Sequence, residues 1–481
     1  MHAMNLARFI FIFIFLVASG WNNHADERDE RIKALEKRLE QLEKLLAPSP
    51  GTKPLPPGET PKEATPRAGP SLSVGSSGFT MRSADSNFVL RLRGLLQVDS
   101  RWYVDDGGIE DNDGFVLRRA RPILEGTVFR DFEFRFTPEF GTSTPVIRDA
   151  WLNYQYDEAA QLRMGKMKPP GGLERWQAVA NVPFIERAMV SDLWPSRDLG
   201  VMFHGELWRS DEADARRLDA GGSFYYALGA FNGVGDGRAA GNSDFDGDTE
   251  VAARLLVHPF LKTEVTPLRL LGLGLGGTYG KTTGVNGLPD DRSYTTEGQQ
   301  DFFTYLNGNG TTPVTANVIA NGHHWRLGPQ AYWYWGPFGL QGEYGLSSQE
   351  LQRQDGLLTT DRLTHQGWSV AASWLLTGED AGFRSITPKK SFDPKAAGWG
   401  ALQLLGRYSV LDIDNDAFPN FADPAESATK ATAWGLGLNW FLNRNVRTSL
   451  NFIRTDFKGG ANGSVTRQNE NVFLTRAQVA F

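Results

Sequence analysis

From about residue 86 to the last residue, apolar and polar side chains alternate with period two, and many of the polar partners are charged. In the first such segment Phe88, Leu90, Leu92, Leu96, Val98 and Trp102 hold one parity, and Arg91, Arg93, Gln97, Asp99 and Arg101 hold the other. A strand sends successive side chains to opposite faces, so this segment is greasy on one side and ionic on the other. Phe132, Phe134 and Phe136 alternate with Glu133, Arg135 and Thr137 in the same way. Near 324–346 the pattern runs through Trp325, Leu327, Trp333 and Trp335, turns at Gly336–Gly339, and resumes with Leu340, Tyr344 and Leu346. The segments number roughly sixteen, the size of a large closed barrel. Tight connections (Arg130-Asp131, Asp157–Ala160, Gly336–Gly339, Asn443–Asn445) alternate with long polar ones (105–113, 168–199, 232–249, 281–322, 347–363, 412–430, 458–470). Short turns on one rim and long loops on the other mark an outer-membrane barrel. The stretch 377–398 departs from this rule, since it falls where a short turn belongs.

The predicted fold is therefore all-β: a sixteen-stranded antiparallel transmembrane β-barrel over 79–481. Its apolar face would meet outer-membrane lipid and its ionic face would line water. A soluble all-β protein shares the alternation and stays open as the competing reading. Composition narrows the rest. There is no Cys among the 481 residues, which excludes disulfides and Cys-based metal sites. The net charge of −6 argues against a nucleic-acid partner. Past the N-terminus no apolar run approaches the ~18 residues of a membrane helix.

Three segments precede the barrel. Arg8, the apolar run Phe9–Val17 and Ala18-Ser19-Gly20 read as a signal peptide over 1–20. In 26–46, Ile32, Leu35, Leu39, Leu42 and Leu46 follow spacings of three and four, a coiled-coil seam. So short a helix is marginal alone, which points to partner helices and a homo-oligomer. Residues 47–78 begin with a proline-rich run, Pro48 to Pro70, and are read as a semi-rigid linker. Residues 26–70 form a possible cell-wall contact.

The barrel segments carry a resemblance to the phosphate-selective porin O/P family. It rests on Leu117-Arg118-Arg119-Ala120-Arg121-Pro122 with Gly126, Arg148-Asp149-Ala150-Trp151, Gly165-Lys166, Phe184-Ile185-Glu186-Arg187 and Arg197-Asp198-Leu199-Gly200. Further matches are Leu376–Glu379, Arg407-Tyr408-Ser409 and the ending Arg476–Phe481. The resemblance covers about 79–481 and implies a homotrimeric outer-membrane porin of a Gram-negative-type bacterium. It also implies that the third long loop, 168–199, folds inward to narrow the pore, and that a ladder of arginines draws anions through.

On the expected inward faces lie Arg91, Arg93, Arg101, Arg119, Arg121, Arg135, Arg326 and Arg407. Arg118 has the opposite parity to Arg119, so it sits either at the rim or in the lumen through a bulge. Guanidinium suits phosphate because its planar fork offers paired donors and keeps its charge. Inward carboxylates such as Glu125 and Glu139 could instead pair with these arginines and stiffen the wall. The constriction loop is expected to present Lys166, Lys168, Arg175, Glu186, Arg187, Arg197 and Asp198. Within 168–199 the four cations face Glu174, Glu186, Asp192 and Asp198 and sum to zero, leaving Lys166 and Lys168 as the unpaired cations.

Asp244, Asp246, Asp248 and Glu250 have the carboxylate spacing that suits calcium but lack the rest of an EF-hand loop. No cofactor and no metal is expected. No nucleophile elbow, zinc-helix or phosphate-loop motif occurs, so an enzyme is not expected. The expected function is passive diffusion of small hydrophilic solutes, with small anions such as phosphate preferred. The alternatives are a non-selective pore and a structural anchor whose helix and linker tether the envelope.

Overall fold

The computed structural model describes residues 69–104, 113–210, 215–244, 246–284, 293–307, 317–354, 359–461 and 466–481. The signal peptide, the heptad helix and most of the proline-rich linker lie outside the described residues. Sixteen strands, from Val89–Tyr103 to Glu470–Ala480, each pair antiparallel with their chain neighbours. The last pairs with the first, from Val472↔Tyr103 to Ala480↔Leu95, so the sheet closes on itself. Closure satisfies every ladder hydrogen bond without an open edge, the condition for a sheet to stand in lipid.

The alternation falls as the sequence requires. On the first barrel strand, Leu92, Leu96 and Val98 are 45%, 45% and 40% exposed, while Gln97 and Asp99 are buried. An apolar core would bury the leucines and expose the polar parity. The inverse distribution places lipid outside and identifies a membrane barrel. Aromatic pairs gather toward the strand ends, as girdles do: Phe88 with Phe129, Phe132 with Tyr154 and Phe338 with Trp374 near the short turns, and Trp368 with Tyr408 toward the long loops.

Two features change the expected layout. Pairing begins before residue 79: Ser71–Gly75 and Gly78–Arg82 form a hairpin whose second strand pairs with the first barrel strand. After Pro70 the chain reads Ser-Leu-Ser-Val-Gly, an amphipathic strand that the preceding prolines obscure. The stretch after Thr360–Leu375 is long because it folds back over the mouth at the short-turn rim. The Phe383 amide donates to the Arg217 carbonyl at 2.8 Å, and Gln177 Nε2 donates to the Phe383 carbonyl at 2.8 Å. Phe383 and Ile386 are buried there with Leu218, Tyr332 and Tyr334.

A second apolar cluster fills part of the opposite mouth. It joins Tyr294, Phe302, Phe303 and Tyr305 from the connection after Leu270–Thr283 with Val190, Leu193 and Phe421. A cavity remains against the wall made by Gly114–Val128 and Val146–Asp157.

Leu436 is 59% exposed on the outer face of Ala428–Phe441, between the Trp434 and Trp440 levels. Leu436→Arg is expected to destabilise the folded barrel by about 2–4 kcal/mol, read as a lowered midpoint in denaturant titration of the bilayer-inserted protein.

Candidate pore constriction

The connection between Ala160–Met167 and Asp198–Arg209 enters the bore and crosses it. Its backbone is held by side chains from the far wall. The Glu343 carboxylate accepts from the amides of Leu173 (2.7 Å) and Glu174 (3.2 Å), at the start of the short helix Leu173–Trp176. Gln330 donates to the Gly171 carbonyl at 3.0 Å. Arg447 and Asn439 donate to the carbonyls of Val182 (3.1 Å) and Pro183 (2.9 Å), and Asn451 Oδ1 accepts from the Ile185 amide at 2.8 Å. Trp194 is 1% exposed and fills a bed of glycines. A Cβ on Gly172 would lie 2.5 Å from the indole and one on Gly328 also 2.5 Å from it, so only glycine admits the ring. Each carbonyl or amide inside a barrel has to find a partner, and the inward polar face of the strands supplies it.

A second segment enters as well. Ser293–Thr295 and Asp301–Thr304 form a small hairpin that packs on the first loop. Asp192 accepts from the Thr295 amide at 3.2 Å and from its hydroxyl at 3.0 Å. The Tyr103 hydroxyl donates to the Gly298 carbonyl at 2.7 Å. The connection 281–322 is legible in the sequence as a long loop. Its inward course shows only in its aromatic content, Tyr294, Phe302, Phe303 and Tyr305, which is unusual for a loop in water.

Between these loops and the wall lies a cavity of ≈ 260 Å³. The wall contributes Arg118, Arg119, Arg121 and Arg148, and the loop contributes Lys168, Arg175, Arg187 and Arg197. Three carboxylates, Glu139, Glu186 and Asp192, share the lining and Asp149 pairs with Arg197 from outside it, so the eight cations exceed their carboxylates by four. The register of the first two barrel strands explains why Arg118 and Arg119 both point inward. Gln97 pairs with Arg119 and Val98 with Leu117, so Arg118 is the extra residue of a β-bulge.

The ion pairs fix the wall without neutralising it. Arg118 grips Glu186 with two bonds, 2.6 and 3.1 Å, and reaches Gln299 at 3.1 Å. Arg121 pairs with Glu139, Arg197 with Asp149, and Arg175 with Asp192. Arg187 donates only to the carbonyls of Glu174 and Gln177, and Lys168 only to those of Trp176 and Gln177, at 2.7–3.1 Å. The Arg148 Nε is buried with no hydrogen-bond partner. Among the described residues no carboxylate lies within ion-pair distance of Arg148, Lys168 or Arg187. Burial, then repulsion from Arg197 and Arg187, holds the Lys168 ammonium well below the ordinary lysine value. Burial opposes ionisation of Glu186, but Arg118 and Arg119 outweigh it and hold the carboxyl below the usual range.

Residues 90–481 match the family described as phosphate-selective porin O and P. The chain belongs to that family. It is 26% identical over 432 residues to Porin O of Pseudomonas aeruginosa, covering 84% of this chain and 91% of that protein. The barrel is similar to the outer membrane channel DcaP of Acinetobacter baumannii, with TM-score 0.50 and 11% identity, over 84% of this chain and 100% of that one. The molecule is thus an outer-membrane porin of the Gram-negative type, a channel and not an enzyme.

The porin's other sequence-predicted residues are dispersed. Arg91 lines a separate cavity of ≈ 370 Å³ at the short-turn rim, with Arg82, Arg130, Glu125 and Glu133. Arg93 and Arg135 share Glu125, at 3.2 and 2.8 Å. Arg101 lies at the long-loop end of its strand and does not line the constriction. Arg326 and Arg407 point inward by parity but are sealed beneath the loops. Arg326 pairs with Asp236 and Glu250, both at 2.7 Å. Arg407 pairs with Glu297 and stacks on Phe184 at 4.1 Å. These two are wall fasteners and not part of the cavity.

Lys166 is also removed from the cavity: its ammonium donates to the Gly241 carbonyl at 2.9 Å. Asp198 is turned away to accept from the amides of Leu199, Gly233 and Val234. The cavity's balance therefore differs from the loop's: Asp198 bonds backbone amides away from it, Glu174 accepts from the Ala188 amide and from Gln341, and four wall arginines join the loop cations. Of the calcium-spaced carboxylates, Asp246 and Asp248 bond Thr283 and Glu250 bonds Arg326, with Asp244 accepting from the Asp246 amide. No cluster of three or more metal-ligand side chains occurs among the described residues.

Gly172→Val would force Trp194 and the loop from their seat, a clash of the kind that costs about 1–3 kcal/mol. The expected result is a wider, noisier pore, read as larger single-channel conductance in planar bilayers.

Proposed function

We propose that this porin conducts small anions along the arginine-rich wall, with phosphate-class oxyanions preferred. The single observation that carries the reading is the excess of cations over carboxylates around the ≈ 260 Å³ cavity, eight against three in the lining and Asp149 behind Arg197. Among the described residues Arg148, Lys168 and Arg187 have no carboxylate within ion-pair distance, so an entering anion exchanges water for cationic donors. The paired cations offer weaker, shared contacts. A run of several such sites, none of them deep, lets an ion enter and leave. Guanidinium forks match the oxygens of phosphate, and the family description points to the same solute class. A homotrimer belongs to this reading, supported by the family resemblance and by the heptad spacing in 26–46.

The test is the reversal potential across a planar bilayer in a salt gradient. An anion-selective sign is expected, together with block of chloride current by added phosphate; a cation-selective sign overturns the reading. Arg148→Ala removes one unit charge, worth ~0.7 kcal/mol at about 6 Å in a water-like dielectric. The anion loses that stabilisation and the cation is relieved of the same repulsion, so the anion-to-cation permeability ratio is expected to fall about tenfold. Burial and the neighbouring cations hold the Lys168 ammonium well below the ordinary lysine value, so its charge is lost as pH rises through a range below that value. Anion preference is expected to decline there in the native porin and to hold in Lys168→Arg.

A further inference from the structure

The hairpin Ser71–Gly75 and Gly78–Arg82 lies before the residues matched by the family, which begin at 90. Its register fixes which side chains share a face. Leu72 pairs with Met81 and Met81 with Leu90; Val74 pairs with Phe79 and Phe79 with Leu92. Leu92 belongs to the outward belt of the barrel, so the whole row, Val74-Phe79-Leu92, points outward. Leu72, Val74, Phe79 and Met81 are 69%, 66%, 45% and 51% exposed. The other face carries Ser71, Ser73, Thr80 and Arg82, and Arg82 lines the cavity at the short-turn rim.

The hairpin occupies a definite gap. The last barrel strand, Glu470–Ala480, is followed by Phe481, whose amide and carbonyl bond those of Gly94 at 3.0 and 2.9 Å. Beyond Gly94 toward the rim, Val89–Leu92 has no partner from the last strand, and Gly78–Arg82 takes that edge. Phe79 meets Phe481 edge-on at 6.3 Å. The hairpin tip is tied to the neighbouring turn: Asn445 Nδ2 donates to the Ser76 carbonyl at 2.7 Å and Arg444 to its hydroxyl at 3.3 Å.

We infer that this hairpin is a lipid-seated extension of the barrel wall, with Leu72, Val74, Phe79 and Met81 against acyl chains at the periplasmic border of the outer membrane. A contiguous exposed apolar patch marks a protein or membrane contact, and here it continues a belt that already faces lipid. A bare strand edge in that zone would leave backbone groups unsatisfied. The hairpin covers the edge and passes its own open edge to the headgroup border, where polar groups are tolerated. The amphipathic pair therefore closes the seam below Phe481.

The absence of cysteine makes single spin labels clean. Labels at Leu72→Cys, Val74→Cys, Ser73→Cys and, as a belt reference, Leu436→Cys are read in the full-length porin reconstituted in vesicles. Collision with oxygen reports lipid and collision with a water-soluble nickel chelate reports water. Positions 72 and 74 are expected to show an oxygen-to-nickel ratio several-fold above that of position 73 and shifted toward that of position 436. Nickel access at 72 and 74 equal to that at 73 overturns the inference in favour of a hairpin in water. Immobile labels shielded from both reagents overturn it in favour of a protein partner, such as a second copy of this chain.

Discussion

Backbone hydrogen bonding in a solvent without water is the constraint on which the rest of this porin depends. Lipid offers no partner to an amide, so the sheet has to close, and Val472–Ala480 on Tyr103–Leu95 is where it does so. Once the sheet is closed, side-chain parity sorts itself without further instruction. One parity dissolves in the membrane and the other is confined to the bore. The same requirement reappears inside, where two long loops carry their own amides and carbonyls into the barrel. Glu343, Gln330, Asn439, Arg447 and Asn451 answer them from the wall. Inward polar residues are thus divided between holding loops and presenting charge.

That division explains how so many arginines can coexist in one bore. Arg326, Arg407 and Arg476 are buried and matched by carboxylates: Arg476 meets Asp99 with two bonds of 2.7 Å. Pairs of this kind are costly to break because a lone buried charge remains. Lys168 and Arg187 are met by backbone carbonyls instead, and the Arg148 Nε by no hydrogen-bond partner.

The barrel was legible in the sequence because period two leaves a direct record: Leu92, Leu96 and Val98 against Gln97 and Asp99 read the same way in one dimension as in three. The inward loop 168–199 was reached through the family resemblance, not through composition. What could not be read is how inward residues are shared out. Parity places Arg326 and Arg407 inside, but only the fold shows Glu250, Asp236 and Glu297 waiting for them. Arg148 carried the family motif yet was not singled out, because nothing local says that its neighbours pair with others. The hairpin at 71–82 escaped notice since its two strands are short and follow a proline-dense run. Phe383 and Ile386 in an overlong turn were the visible trace of a plug.

The bulge at Arg118 has a wider meaning. In an unbroken strand, neighbours on the same side stand two residues apart, near 6.6 Å. Insertion of one residue sets consecutive α-carbons, ~3.8 Å apart, on a common side, so the local density of guanidinium exceeds what any regular strand can reach. It also acts as a frameshift in space: from Leu117 to Gly114 the phase is reset relative to the segment beyond Arg119. Removing Arg118 would subtract that extra charge and leave an unbroken alternation, with Leu117 still facing lipid beside an inward Arg119.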